Sequence, residues 1–340
     1  MIPSDVKFGL VLTGGGAKGA YQVGALEYLA ELNFSPHIIA GTSIGALNGA
    51  VLASHQPFNQ AVLRLGEMWE QLGYAEVLRP NVGAALPVMS YAAQTLIPTF
   101  SKWAVNFLIE QQLLKANTAI FDVEPIERLL REAVNAKNLK YGTDLWVTVF
   151  PSLHIPGLEY DWLMGLIDVC RARTGTTAHW LLAQDCDDED TLYNLLLASA
   201  AIPLAFPKRT VNGQHYVDGA LADNIPLGAL AKQGCTHAIV IHLENASTWS
   251  RQDFPQQTII EIRPEQPIAQ SDTPVIGSIS AVLDFSPSRI ADLKQRGYED
   301  ARRCIEPIIR TFRTTTDGRR QMVSLVESTE NLLSDLPLPS

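Results

Sequence analysis

The stretch KFGLVLTGGGAKGA, residues 7–20, constrains this chain more than any other. An unbroken apolar run ends abruptly in three consecutive glycines, and a helix-forming segment follows at once. A short apolar run closed by glycine suits a strand buried on both faces of a parallel sheet. Residues 17–33 place Val23, Leu26 and Ala30 on one helical face. HIIA at 37–40 reads as a second strand, and SIGALNGAVLAS at 43–54 as a second helix dense in Gly and Ala. Strand, helix, strand, helix predicts an α/β fold with a parallel sheet and helices on its faces.

The remainder extends this pattern. Residues 60–140 read as mainly helical, and VEPIERLLREAV at 123–134 turns Ile126, Leu129, Leu130 and Val134 inward. LWVTVFPSL at 145–153 is a strand, and DTLYNLLLASAAI is a helix stopped by Pro203. KRTVNGQHYVDG reads as a hairpin turning at Asn212-Gly213. HAIVIHL at 237–243 is a late buried strand, and SRIADLKQRGYEDARRCIEPIIRTF is a closing helix. Residues 6–310 read as a single domain, and 311–340 as a polar, frayed tail. No repeat or long linker divides the chain.

Composition narrows the partners. The net charge of −10 argues against a nucleic-acid footprint, which needs a basic face. Cys170, Cys186, Cys235 and Cys304 are widely spaced, with no C-x-x-C and no zinc spacing, so reduced thiols in a cytoplasmic protein are expected. Only Lys7 precedes the first apolar run, and the glycines interrupt it, so no secretory signal is read there. Residues 81–101 carry no charge, but Pro87, Gln94 and Pro98 make them a poor spanning helix; a lid or pocket wall is expected.

The glycine loop admits three readings. Gly14, Gly16 and Gly19 satisfy G-x-G-x-x-G, the dinucleotide fingerprint. That fold needs an acidic residue at the end of the second strand, where this chain has IIAGTS. A P-loop ends in Gly-Lys-Ser/Thr, whereas the order here is Lys18-Gly19-Ala20. An oxyanion hole needs only backbone N–H groups free of side-chain interference, each typically worth about 3–4 kcal/mol in the transition state.

The strand end itself carries Gly41-Thr42-Ser43-Ile44-Gly45, a G-x-S-x-G pentapeptide between strand and helix. A serine on so sharp a corner needs small neighbours two before and two after, and Gly41 and Gly45 supply them. The competing reading is an ordinary helix N-cap. Parallel neighbours would bring Gly14–Gly16 and Ser43 to the rim of one crevice.

A nucleophilic serine needs a base. A Ser-Asp-His hydrolase would use a late histidine, His237 or His242, after Asp218. His215 lies near Asp218, but HYVD in a strand puts the two on opposite faces. Asp218-Gly219-Ala220, leaving the hairpin, also suits an ordinary turn aspartate.

Taken together, GGGAKGAYQVGAL, GTSIGALNGA, ASAAIPLAFP (198–207) and YVDGALADNIPL resemble the patatin-like phospholipases, in order and over about residues 6–305. The resemblance implies a three-layer α/β/α sandwich with a mostly parallel central sheet and helical insertions. It implies a Ser-Asp dyad without histidine: Ser43 as nucleophile and Asp218 as general base. Gly14, Gly15 and Gly16, with the adjoining Ala17, Lys18 and Gly19, would form the oxyanion hole; Gly41, Gly45, Gly219 and Ala220 would support the motifs.

The substrate class implied is phospholipid or lysophospholipid, met by transient contact with a membrane surface, without metal, cofactor or nucleic acid. A peripheral place at the inner membrane face follows from the same resemblance; nothing in the sequence marks a regulatory ligand. Burial by Val217, Ala220 and Leu221 would raise the aspartate toward neutral pH. Residues 75–120 and 152–180 are expected to wall the acyl pocket or form a lid. A nucleotide-binding module built on the glycine fingerprint is the non-enzymatic alternative.

Overall fold

A computed structural model describes residues 6–75, 124–153, 161–203, 206–245, 249–268 and 284–334. Its centre is an eight-stranded mixed sheet. Strands β1 (Phe8–Leu12), β2 (Ile38–Thr42), β3 (Asp144–Pro151), β7 (His237–Ile241) and β8 (Thr258–Ile262) run parallel in the order β3-β2-β1-β7-β8. The far edge of β3 is shared by two antiparallel partners. Its middle pairs with β4 (His179–Leu182) and its end with β6 (Gln214–Asp218), which pairs in turn with β5 (Arg209–Val211).

Alternation along the strands divides the core. Leu10, Leu12, Ile39 and Ile241 face one side, and Val11, Ile38, Ala40 and Val240 the other. The first side is covered by α1 (Ala20–Glu31), α2 (Ile44–Ala53), α3 (Phe58–Tyr74), α4 (Glu124–Ala133), the short α5 (Ala136–Leu139) and α7 (Glu189–Ser199). The second carries α8 (Leu227–Lys232) with Trp146, Trp180, Trp249 and Phe254. The predicted three layers are therefore present. The α4 segment buries Leu129, Leu130 and Val134 as its periodicity requires.

Several expectations need correction. The first helix does not begin at residue 17: a 3₁₀ turn, Gly16–Gly19, precedes α1. The closing helix α9 runs Pro287–Ser334, so the tail from residue 311 continues it instead of fraying. The β4 and β8 strands carry no sequence signal strong enough to have been read in advance.

Between β3 and β4 lies α6 (Asp161–Arg173), seated by a fully buried Asp168 that accepts from the Ser152 hydroxyl, the Leu153 amide and Arg171. The α1 and α9 helices cross in near contact at two glycines. A Cβ at Gly24 would sit 1.7 Å from the Lys294 carbonyl, and one at Gly297 would sit 1.9 Å from that of Tyr21. Among the described residues no helix is long and apolar enough to cross a membrane.

Candidate active site

Ser43 occupies the corner between β2 and α2, with φ 54° and ψ −127°. This is a sparsely populated region for a residue with a side chain and costs about 1–3 kcal/mol. The flanking glycines explain how the corner closes. A Cβ at Gly41 would lie 2.5 Å from the Gly45 carbonyl, and one at Gly45 would lie 2.2 Å from that of Leu12. The Ser43 side chain makes no capping bond to α2, which sets aside the N-cap reading. Its amide donates instead to the Ser199 hydroxyl at 2.9 Å, and Ser199 donates onward to the Thr148 carbonyl at 2.7 Å.

Asp218 reaches the same place through β3. Thr42 pairs with Thr148 on one edge of that strand, and Asp218 pairs with Val149 on the other. The Ser43 side chain lies close enough to the Asp218 carboxylate to lower its proton affinity, and that carboxylate accepts the Ala220 amide at 2.8 Å. Asp218 is 4% exposed, and burial pushes its carboxyl up to about 7 against the pull of the Ala220 amide and the Ser43 side chain. Gly219 is required because a Cβ there would stand 2.4 Å from the Thr148 carbonyl. The apolar cover expected from the next residues is only partly present. Val217 is buried, but Ala220 is exposed and Leu221 half-buried, so the desolvation comes from the strand end itself.

The glycine loop lies beside Ser43, since a Cβ on Gly14 would be 2.9 Å from the Ser43 Cβ. Its six members divide by environment. The Gly14 amide is already engaged, donating to Asn224 Oδ1 at 2.8 Å. The Lys18 amide closes the turn onto Gly15 O at 3.3 Å. Gly15, Gly16 and Ala17 have no backbone or side-chain acceptor for their amides among the described residues. Gly16, at φ 58°, needs its glycine for backbone reasons and lines the cavity next to Ser43. Gly19 packs, with Ile44 and Trp69 within 2.8 Å of where a Cβ would stand. The Lys18 ammonium pairs with Glu244 at 3.0 Å.

Three groups of supporting residues carried no role in the sequence reading. Ser199 is fully buried, and a serine on the apolar face of a helix was the signal available. Asn224 grips Gly14 from both sides, and the adjacent Asp223 accepts the Trp180 indole at 2.8 Å. A buried amide pair ties α1 to α2: Asn48 donates to Gln22 Oε1 at 2.9 Å and accepts the Trp69 indole at 2.9 Å. Gln22 donates in turn to the Thr13 carbonyl at 2.8 Å, just before the glycines.

Neither candidate histidine joins the pair. His237 lies opposite Phe8 at the start of the parallel strands, while Ser43 follows their far ends. His242 bonds Glu261 at 3.0 Å; burial, aided by the Arg263 charge, lowers its imidazole to about 4. His215 contacts Thr210. Among the described residues, no three His, Cys, Asp or Glu side chains gather as metal ligands would.

Beside Ser43 opens an apolar cavity of about 70 Å³. Leu47, Met68, Ile126, Leu130, Leu197 and Phe285 represent its wall. No described residue of 152–180 lines it, and α6 is held against the end of β3. Residues 81–101 lie outside the described residues.

The profile of the family described as "Patatin-like phospholipase" matches residues 10–231. "Patatin-like phospholipase domain-containing protein 7" of Mus musculus is 38% identical over 86 residues, 25% of this chain and 6% of that protein. "Lysophospholipase nte1" of Aspergillus terreus is 44% identical over 68 residues, 18% of this chain and 4% of that protein. "Neuropathy target esterase sws" of Drosophila melanogaster is 22% identical over 233 residues, 68% of this chain and 12% of that protein. The chain thus spans only a small part of the length of these relatives. Among solved structures, VipD from Legionella pneumophila aligns over 89% of this chain and 67% of its own, at 14% identity and a TM-score of 0.41. Human GIVD cytosolic phospholipase A2 aligns over 90% and 59%, at 12% identity and a TM-score of 0.39. With its profile match running from β1 through α8, this chain belongs to the patatin-like phospholipase family.

Proposed function

We propose that the protein is a lipid acyl hydrolase that cleaves carboxylic esters of phospholipids or lysophospholipids through Ser43 and Asp218. One observation carries the reading: an uncapped serine in a strained corner faces a buried carboxylate whose proton affinity lies near neutrality. Asp218 takes the Ser43 proton as Oγ attacks the ester carbonyl. The carbonyl oxygen becomes negative and is met by the open amides of Gly15, Gly16 and Ala17, while Gly14 holds the loop through Asn224. The proton passes from Asp218 to the departing alcohol, leaving an acyl-serine. Water then attacks the acyl carbon with Asp218 again as base; the bond from the acyl carbon to Ser43 Oγ breaks, Asp218 returns the proton to Oγ, and free fatty acid leaves. The acyl chain rests in the apolar cavity beside Ser43. The substrate is drawn from a membrane surface by transient contact.

The test combines a fluorophosphonate probe with mass spectrometry of products from mixed phospholipids and lysophospholipids. Labelling at Ser43 and release of fatty acid are expected. An unlabelled serine together with intact lipids would remove the reading.

A further inference from the structure

Among the described residues lining the apolar cavity, Arg209 alone is charged. Its place follows from strand register. Arg209 pairs with Tyr216, and Asp218 lies two residues further along β6. Cross-strand partners share a face, as do residues two apart in one strand. Arg209 and Asp218 therefore project from the same face as diagonal neighbours, with Cβ atoms about 7–8 Å apart. The Arg209 side chain is 19% exposed. Its guanidinium meets Glu127 at 3.2 Å and the Asn194 amide oxygen at 3.4 Å. Glu127 is shared, since Arg131 donates to it at 3.0 Å and also reaches the exposed Asp190. One carboxylate thus serves two guanidinium groups at the cavity wall.

A cavity built for hydrocarbon alone gains nothing from a guanidinium in its wall, because partial burial of a charge costs solvation. An anion attached close to the scissile ester recovers that cost. Resting on the acyl-hydrolase reading, we propose that Arg209 selects lipid esters that carry a phosphate, over neutral glycerides. In a glycerophospholipid only the glycerol skeleton separates the phosphate from an ester carbonyl. That short separation suits a cation one diagonal step from the base. The planar guanidinium fork also matches two phosphate oxygens.

The experiment uses the full chain and two substrates with the same acyl group, 1-oleoyl lysophosphatidylcholine and 1-monooleoylglycerol, in the same mixed micelles. The wild type prefers the phosphate ester. In Arg209→Gln the ratio of the two kcat/KM values falls by about tenfold or more, the loss of one charge-assisted contact. Arg209→Lys retains most of the preference. Parallel losses on both substrates would show that Arg209 only braces the wall through Glu127, and would overturn the assignment; so would an unchanged ratio. A wild type that cleaves only the neutral ester overturns the assignment and the phospholipid substrate class while leaving ester hydrolysis through Ser43 and Asp218 intact. One that cleaves neither ester ends both. Should Arg209→Gln fail to fold, Glu127→Gln carries the test: it frees the guanidinium and is expected to raise the ratio, and an unchanged ratio overturns the assignment.

Discussion

Ser43 and Asp218 stand on either side of one residue, Val149 in the middle layer. Thr42 is in register with Thr148, which brings Ser43 level with Val149; Asp218 pairs with Val149 from the opposite edge. A parallel ladder and an antiparallel ladder on the two edges of β3 therefore set the spacing of the pair. Its geometry is as rigid as the sheet that holds it.

Chemistry that depends on this pair responds to each member. Ser43→Ala and Asp218→Asn are each expected to lower lysophospholipid hydrolysis by at least about 10³-fold. His237→Ala and His242→Ala should keep the reaction within a few-fold, since neither ring reaches the serine. Substantial fatty acid release by Asp218→Asn would end the two-residue scheme.

The proposed base sets a pH limb. With its carboxyl at about 7, Asp218 holds a proton through most of the acidic range. Only the ionised form accepts the Ser43 proton, so kcat/KM should rise with pH and level off above about 7. An acidic limb centred near 4 would mean that the carboxylate is better solvated than its burial implies.

The same burial links activity to stability. Asp218 binds its proton more tightly in the folded chain than in the unfolded one, where its value is near 3.9. Below that value both states are protonated and there is no penalty. Between about 4 and 7 the unfolded state ionises first, so folding weakens as pH rises, and above 7 the full penalty persists, up to about 4 kcal/mol. Asp218→Asn removes the ionisation. Its Tm should exceed that of the wild type at pH 8, and the gap should close by pH 4. A constant difference at both pH values would contradict this linkage.

Strain at the corner can be measured separately. Glycine adopts φ 54°, ψ −127° without the penalty that a Cβ incurs. After allowing for the greater unfolded-state freedom of glycine, Ser43→Gly should be about 1 kcal/mol more stable than Ser43→Ala. Chemical denaturation of the two variants reads this directly, and equal stabilities would mean the corner is relaxed.

Ser199 supplies the acceptor for the Ser43 amide and is fully buried. Ser199→Ala leaves that amide unpaired, at a cost of about 1–3 kcal/mol. Because the amide belongs to the residue proposed as nucleophile, kcat should fall more than KM changes. A stable, fully active Ser199→Ala variant would show that β2 holds the corner unaided.

Much of this was legible in the residues. Ser43 with Gly41 and Gly45 could be read from the pentapeptide because the corner is local: two small residues and a strand-to-helix switch suffice. The β1–β2 pairing and the inward face of α4 follow from short-range periodicity in the same way. Asp218 was different. Nothing near it distinguishes a base from a turn aspartate, and only its resemblance to a family motif singled it out.

The sequence by itself determined the alternation of apolar strands and helices, the sharp turn at Ser43 and the glycine-rich start of the first helix. These depend on properties of neighbouring residues. Tertiary structure decided which groups meet. It gave the Gly14 amide to Asn224, leaving Gly15–Ala17 open among the described residues; it placed Ser199 beneath Ser43; and it seated α6 on the end of β3. It also buried Asp218 at a strand end, which raised its proton affinity. Each of these rests on a contact between residues distant in the chain, and such contacts are fixed by sheet register and packing, which local pattern does not encode.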